Sequence, residues 1–290
     1  MAITNNRVKK PQAVVINGID AGGAMQATIQ AGYDNIIQSA PDGLQIPMVD
    51  KETQYVRGTI VTQDWVHALE LLTGVSGTLV FYEAESGAAT YCEHTITKPI
   101  IHSIALQFNK GGHGTVAFEF ECKAAAAEDT IAVMWVQLAA QVAPTAITAA
   151  RGGYRITAAA HGGASIYHIM SVSFKLTMKL TKACNDGDVG YTCVDAETDG
   201  MNGSGAVTFQ DAAAALARIV AAKAALVLTV TQSQGATAKT VTIAGVDFTN
   251  IDHNASADAD FTGVTANYVI ANTVGTELTL AGANPILTIA

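Results

Sequence analysis

The sequence predicts a mainly β protein with a few helices, an α+β chain formed by two tandem copies of one domain. Three observations lead to this prediction: stretches that alternate apolar and polar residues, segments that match each other at a constant spacing, and a scarcity of aromatic residues. Of the 290 residues, 49% are hydrophobic, 14% are charged and 6% are aromatic. This composition is typical of a folded protein rather than a disordered one, and its length allows two domains.

The clearest sign of duplication is a match between two segments 147 positions apart. Gln63 and Asp64 recur as Gln210 and Asp211, each pair leading a helix-like apolar stretch. The same spacing matches three further sets without a gap: Leu79-Val80 with Leu226-Val227, Ala89-Thr90 with Ala236-Thr237, and Thr95-Ile96 with Thr242-Ile243. Upstream, residues 16–29 match residues 156–169 at a spacing of 140, which aligns two Gly-Gly pairs. Two matches in the same order indicate a repeated domain with one variable loop between them.

The first copy is predicted to begin with a strand at residues 13–16, followed by a turn or bulge at Gly22-Gly23. A helix follows, in which Trp65, Leu69 and Leu72 share one face. Asp64 lies in its first turn, where negative charge suits the helix dipole. Further strands are expected at residues 78–82, 90–97, 100–109 and 115–122.

The second copy is predicted to repeat this order, with a strand at residues 154–157 and a turn at Gly162-Gly163. Residues 171–180 alternate strictly, which is typical of a strand with one buried face. In its helix, Ala212, Leu216 and Ile219 hold the places of Trp65, Leu69 and Leu72. Later strands are expected at residues 225–231, 238–243, 261–265 and 267–272, with one or two more in the tail at 277–289.

The segment between the copies is alanine-rich, and residues 128–141 are the best helix candidate outside the repeats, ended by Pro144. The predicted organisation is an N-terminal arm at 1–10, one copy at 11–124, a helical linker at 125–150 and the second copy at 151–290. Each copy is expected to be a β-sandwich or partly open barrel with one flanking helix.

The charge of the chain limits its partners. The formal net charge is −9, so tight binding to nucleic acid through phosphate contacts is not expected. The N-terminus lacks the apolar region of a secretory signal, and no run of about 18 apolar residues predicts a membrane span.

Motifs for chemistry are missing from the sequence. The four cysteines form no CxxC pair and are expected to be small buried hydrophobes, with a Cys184–Cys193 disulfide as the alternative. The stretch at residues 185–188 lacks the full calcium-loop pattern and predicts a tight turn. The seven histidines are scattered, with His161 and His168 seven positions apart. We therefore predict no catalytic, cofactor-binding or metal-binding residues, and a chain that is not an enzyme.

The order of strands, a Gln-Asp-led helix and further strands, all repeated, resembles the tail tube proteins of long-tailed bacteriophages. That family shares its fold with the tube of contractile secretion systems and assembles six-fold rings that stack into a hollow tube. The resemblance covers residues 11–124 and 151–272 and rests on architecture. With two domains per chain, it implies rings of three chains with pseudo-six-fold symmetry.

The resemblance also implies a place and partners. The chain would be made in the cytoplasm of a host bacterium and would belong to a virion tail. Its partners would be copies of itself and the terminator, tape measure and baseplate proteins, and DNA would pass through an acidic lumen without specific binding. Long loops at residues 38–57 and 183–205 would reach a neighbouring subunit or ring. Three alternatives stay open: another ring component of a tail or baseplate, a carbohydrate-binding or adhesin β-sandwich, and a hydrolase.

Overall fold

The computed structural model confirms a mainly β fold with short helices. It describes residues 10–16, 19–20, 24–38, 48–63, 78–84, 91–122, 131–141, 154–183, 190–191, 193–210, 212–232, 238–254, 263–272, 278 and 285–290. The helix predicted around Trp65 lies outside these residues, as do most of the N-terminal arm and the turn at Gly22-Gly23.

The first half of the chain contains nine strands and one helical turn among its described residues. The strands are β1 (Lys10–Ile16), β2 (Ile19–Asp20), β3 (Ala24–Gln38), β4 (Met48–Thr62), β5 (Thr78–Ala84), β6 (Tyr91–Thr97), β7 (Pro99–Asn109), β8 (Thr115–Cys122) and β9 (Trp135–Gln141). The turn α1 (Ile131–Met134) directly precedes β9.

The second half contains nine strands and one helix among the residues that the structure describes. The strands are β10 (Tyr154–His161), β11 (Ala164–Ile166), β12 (Ile169–Ala183), β13 (Gly190–Tyr191), β14 (Cys193–Phe209), β15 (Ala224–Gln232), β16 (Ala238–Asn254), β17 (Gly263–Ile270) and β18 (Leu287–Ile289). The helix α2 (Ala212–Ile219) lies between β14 and β15.

These strands form two sheets. The smaller sheet has the order β2-β1-β5-β6-β9, and the larger has the order β11-β10-β15-β16-β17-β14-β12-β7-β8-β4-β13, with β3 on β4 and β18 on β16. Strand β16 pairs with β15 through its first part and with β17 through its second, so it turns a corner near Gly245. In the first half, two separate strands take the place of β16. Strand β6 corresponds to its first part and β7 to its second, and the two lie in different sheets.

The same strand pairings occur in both halves, and their register is the same except at the far end of the two long hairpins, where Asp34 lies opposite Thr53 but Lys179 lies opposite Glu197. Ile16 lies opposite Leu79 where β1 meets β5, and His161 lies opposite Leu226 where β10 meets β15. The equivalence extends to seven pairings: β1·β2 with β10·β11, β1·β5 with β10·β15, β3·β4 with β12·β14, β4·β8 with β14·β17, β5·β6 with β15·β16, β7·β8 with β16·β17, and β6·β9 with β16·β18. Descent from one duplicated domain stays a prediction.

Irregularities in the ladders recur at equivalent places as well. The residues skipped in the pairing are Gln12 and Thr157, Met25 and Met170, and His102 and Thr249. A β-bulge changes the twist and direction of a strand, so shared bulges mean that both halves bend alike. Equivalent residues of the two halves are 145 positions apart in strands β1, β2 and β3, and 147 positions apart in β4, β5, β6 and β7. The upstream match at a spacing of 140 therefore had the wrong register.

Most strand predictions are confirmed, but the helical linker is wrong. Residues 131–134 form one helical turn, and Trp135–Gln141 is a strand on the edge of β6. Pairing with β6 satisfies that strand's backbone groups, and this tertiary gain outweighs the helix propensity of Ala, Leu and Gln. Trp135 is consequently a strand residue. The two strands expected at 261–265 and 267–272 are one strand, β17, and the strand expected at 238–243 continues to Asn254.

The helix predicted in the second half is confirmed, but its buried face is different. Ala215 is fully buried, whereas Leu216 is 58% exposed. The helix contacts β16, β17 and β14, and a small side chain lets its backbone lie close to those strands. The long loops expected at residues 38–57 and 183–205 are mostly strand, because β3 with β4 and β12 with β14 form two long hairpins.

Candidate assembly surface

Several residues singled out in the sequence lie outside the described part of the chain. These are Cys184, the turn at residues 185–188 and Trp65. Cys193 belongs to β14, but its side chain is not described, so the Cys184–Cys193 disulfide remains a prediction. Gly162 and Gly163, with φ of 58° and 79°, make the turn between β10 and β11, which confirms their backbone role.

The two histidines that stand closest in the sequence do not form a site together. His161 is buried, and its Nε2 donates to the carbonyl oxygen of Val246 at 3.3 Å. His168 is exposed, with a φ of 61°. Among the described residues, no group of three or more His, Cys, Asp or Glu side chains is placed to hold a metal ion.

A partly buried polar cluster that the sequence did not predict occurs in the small sheet, around the buried side chains of His94 and Cys92. His94 Nε2 lies 3.2 Å from Glu83 Oε2, and Trp135 Nε1 donates to His94 Nδ1 at 3.1 Å. Gln137 Nε2 donates to Cys92 Sγ at 3.1 Å. Because Nδ1 accepts the tryptophan proton, the neutral ring carries its own proton on Nε2 and donates it to Glu83. His94 Nε2 also lies 3.7 Å from Cys92 Sγ, but because it carries a proton it cannot accept one from that thiol.

The second half has aliphatic side chains where this cluster has its ionisable groups. Val230 and Val241 stand at the positions equivalent to Glu83 and His94. Leu287 pairs with β16 at the position that Trp135 occupies beside β6. The same strand pairings thus form with either the polar or the aliphatic side chains. In the first half, the hydrogen bonds of the cluster join β5, β6 and β9.

The buried thiol of Cys122 is also unsuited to nucleophilic chemistry. Burial, together with the neighbouring charge of Glu121, raises the pKa of Cys122 to about 12. A thiol with that pKa is protonated at neutral pH, and the thiolate is the reactive form.

The largest feature of the molecule is a run of eight strands in the larger sheet, which we call the joint sheet. Its order is β3-β4-β8-β7 from the first half and β12-β14-β17-β16 from the second. The second block repeats the first strand for strand. The two blocks meet where β7 pairs with β12, from Ser103 opposite Thr177 to Asn109 opposite Ser171.

One face of the joint sheet packs on the core, and the other, which we call the polar face, carries short polar side chains. On β8, Val116, Phe118 and Phe120 are buried, while the alternate residues Thr115 and Ala117 are half-buried on the polar face. This alternation is the period of two that the sequence predicted for its strands.

Two open concavities lie on the polar face. The first, about 550 Å³, crosses the junction of the blocks, and its polar face residues include Gln107, Ser173, Lys175, Ser204 and Asn267. The second, about 300 Å³, includes Arg57, Glu119 and Glu121. Together the two concavities are lined by two basic side chains, Lys175 and Arg57, and two acidic ones, Glu119 and Glu121. Uncharged residues lie between them. The acidic lumen expected from the net charge stays a prediction.

Both ends of the joint sheet are open edges among the described residues. Strand β3 pairs only with β4, and residues 250–254 of β16 pair only with β17. We call residues 26–32 the β3 edge and residues 250–254 the β16 edge. Open strand edges present unpaired N–H and C=O groups, which makes them sites of association with other strands.

A scan of protein-family models and a search of curated proteins found no match to this chain. Neither helix in the described part of the structure is long and apolar enough to cross a membrane. The joint sheet is therefore the feature of the molecule that bears on its function. The recurring order of elements was predictable from the sequence, but the junction was not, because the pairing of β7 with β12 joins residues of different halves and leaves no local signal.

Proposed function

We propose that this protein is a structural component of a virion tail, in which three chains form a ring and stacked rings form the hollow tail tube. The single observation that carries the proposal is the junction of β7 with β12, which joins two equivalent four-stranded blocks edge to edge in one chain. A sheet in which equal blocks follow one another head to tail grows by the same contact at each step. Such growth ends only when the sheet closes on itself.

Closing the sheet into a ring would pair the two edges that a single chain leaves open. With eight strands per chain, three chains supply six blocks, which matches the pseudo-six-fold symmetry implied by the resemblance to tail tube proteins. A closed sheet has no edge left to aggregate, whereas an isolated chain leaves two. The polar face would then line the lumen.

The chemistry of the polar face suits a channel for DNA. Its described concavities carry short uncharged side chains and balanced charges. Strong DNA binding needs many Lys and Arg contacts to phosphates, and the chain as a whole has a net charge of −9. DNA would slide past such a surface without adhering. The rest of the tail, namely its terminator, tape measure and baseplate proteins, supplies the other partners in this proposal.

The two long hairpins suit contacts between rings. In the first, β3 and β4 stay paired from Ala24 opposite Thr62 to Gln38 opposite Met48, while β8 covers only residues 57–62 of β4. Each 15-residue strand spans about 50 Å. The hairpin therefore extends beyond β8, and β13 pairs with it at Thr53 and Gln54.

Electron microscopy and light scattering of the purified protein test the proposal. We expect rings with the mass of three chains, or stacked hollow tubes, in negative-stain images. Single rings that never stack would favour a different ring component of a tail or baseplate. A monodisperse monomer at high concentration, with neither rings nor tubes across a range of salt and pH, would contradict the proposal.

A further inference from the structure

We propose that the β3 edge of one chain pairs antiparallel with the β16 edge of a second copy, with Gln30 opposite Asp252, in the register of the internal junction between β12 and β7. The inference deepens the proposed function and rests on it for the number of chains in the ring. The register itself comes from the two halves of this one chain.

The two edges are the counterparts of the strands that already meet inside the chain. From Ala24 to Gly32, β3 has the register with β4 that residues 169–177 of β12 have with β14, since Ala24 lies opposite Thr62 and Ile169 lies opposite Phe209. The second part of β16 likewise has the register with β17 that β7 has with β8. The β3 edge is thus equivalent to β12, and the β16 edge is equivalent to β7.

The internal junction then fixes which residues face each other between chains. Lys175 lies opposite Ala105, and Leu176 lies opposite Ile104. The β3 residue equivalent to a β12 residue lies 145 positions earlier, and the β16 residue equivalent to a β7 residue lies 147 positions later. The first pair therefore corresponds to Gln30 and Asp252, and the second to Ala31 and Ile251. A one-residue slip would turn the side chains of one edge to the wrong face, so the register is strongly specified.

The core face of these edges is incomplete in one chain. At the internal junction, Leu176 and Ile104 are 2% and 1% exposed. Their counterparts Ala31 and Ile251 are exposed and half-buried, respectively, although Ile251 packs against the hydrophobic core. Pairing with a second copy would extend the core across the contact and bury them as their equivalents are buried.

The polar face of the two edges is complementary in charge and hydrogen bonding. Gln30 accepts a bond from Arg57 Nε at 3.4 Å through its Oε1, which leaves its amide N–H groups directed elsewhere. Asp252 accepts bonds from Asn267 at 2.7 Å and Asn250 at 3.5 Å, both through Oδ2, and its carboxylate retains acceptor capacity on Oδ1. In the proposed register the Gln30 amide donates to Asp252, and the Arg57 guanidinium lies one strand away from the same carboxylate. A second copy of this chain therefore fits the edge chemically as well as geometrically.

Disulfide trapping tests the register. The variant Gln30→Cys/Asp252→Cys is made with Cys184→Ser and Cys193→Ser, so that the engineered thiols are the reactive ones, because Cys92 and Cys122 are buried. Directly opposed residues have Cα atoms about 4.5–5.5 Å apart, within the range for a disulfide. Under mild oxidation we expect covalent species of two and three chains on a non-reducing gel. Circular dichroism checks that the variant is folded.

Two matched variants control the experiment. Lys175→Cys/Ala105→Cys places the thiols at the equivalent internal pair and should give a disulfide within one chain, which establishes that the geometry supports the bond. Gln30→Cys/Ile251→Cys moves one thiol to the opposite face of the sheet and should give at least tenfold less interchain product. A single variant, Gln30→Asp, places like charges opposite each other and should weaken association about threefold or more, whereas Gln30→Asn, which keeps an uncharged amide at the same position, should weaken it less.

The outcomes separate this inference from the proposed function. Interchain product from the Asp252 pair and not from the Ile251 pair supports the register. Rings or tubes in micrographs without that product overturn the register and leave the tube function standing. The specific product without any ring or tube supports the edge pairing and contradicts the tube function. A monomer that gives no interchain product contradicts both.

Discussion

Gly205 on β14 lies directly opposite Tyr268 on β17, and the tyrosine ring covers the glycine. A Cβ at Gly205 would collide with that ring and with the carbonyl oxygen of Ser173. Tyr268 is 1% exposed, and its hydroxyl donates to Ser173 O at 2.8 Å. The first half has the same arrangement, with Gly58 opposite Phe120 and an added Cβ 2.9 Å from the ring.

Replacing either glycine by alanine should therefore destabilise the fold. We expect Gly205→Ala and Gly58→Ala each to lower the free energy of unfolding by about 2–3 kcal/mol, because the aromatic ring and backbone around them cannot move without losing core contacts. The midpoint of urea unfolding measures the effect. Gly112→Ala is the control, since its added Cβ would meet nothing closer than 3.7 Å. Equal effects in all three variants would contradict this account.

A residue with left-handed backbone stands at the corner in each half, between β6 and β7 and within β16. Lys98 has a φ of 49° between β6 and β7, and the equivalent residue in β16 is Gly245, with a φ of 65°. A side chain in this conformation costs about 1–2 kcal/mol, which glycine avoids. We expect Lys98→Gly to be about 1 kcal/mol more stable than Lys98→Ala in thermal unfolding. The comparison with alanine separates the backbone effect from loss of the lysine side chain, and a more stable alanine variant would sink the prediction.

The buried ring of His161 should make the stability depend on pH. Burial lowers the pKa of His161, against the opposing effect of its bond to Val246, and Nδ1 has no hydrogen-bond partner among the described residues. Because the folded pKa lies below the unfolded value of about 6.5, the unfolded state binds the proton first. Stability should accordingly be lost as the pH falls from about 6.5 towards the lower folded pKa.

The first half indicates how to remove this dependence. Ile16 is the equivalent of His161, so His161→Ile should fit the site, raise the free energy of unfolding by about 1 kcal/mol and flatten its slope below pH 6.5. Chemical denaturation at a series of pH values measures both. His113→Ile changes an exposed histidine and should leave the slope intact. An unchanged slope in His161→Ile would assign the pH dependence to other groups.

The hydrogen bond between Trp135 and His94 should contribute to stability in the first half. Trp135→Phe keeps an aromatic ring but removes the donor, which leaves the buried Nδ1 of His94 without that bond. The expected loss is about 1–2 kcal/mol in the free energy of unfolding. Leu138→Ala, at an exposed position of the same strand, should cost less than half as much. A smaller effect in Trp135→Phe than in Leu138→Ala would contradict the proposed role of the cluster.

Much of the fold was predictable because strands with one buried face carry their own signature. The alternation at residues 171–180 predicted β12, and the predicted bounds of β8 agree with the structure at both ends. Residues 135–141 were not predictable in this way, because their helix-forming composition competes with an edge that β6 offers only in the folded protein. The match at 140 failed for a similar reason: a Gly-Gly pair is common in turns, and only strand register distinguishes one such turn from another.

The sequence by itself determined the class of the fold, the recurrence of elements at a spacing of 147 positions and the low fraction of charged residues. Those properties depend on local periodicity and composition, which each segment carries alone. Only the tertiary structure decided that β7 and β12 join the two blocks into one sheet, and that the β3 edge and the β16 edge stay open at its ends. Strand pairing is a contact between distant segments, and its choice depends on which edges the rest of the fold leaves unpaired.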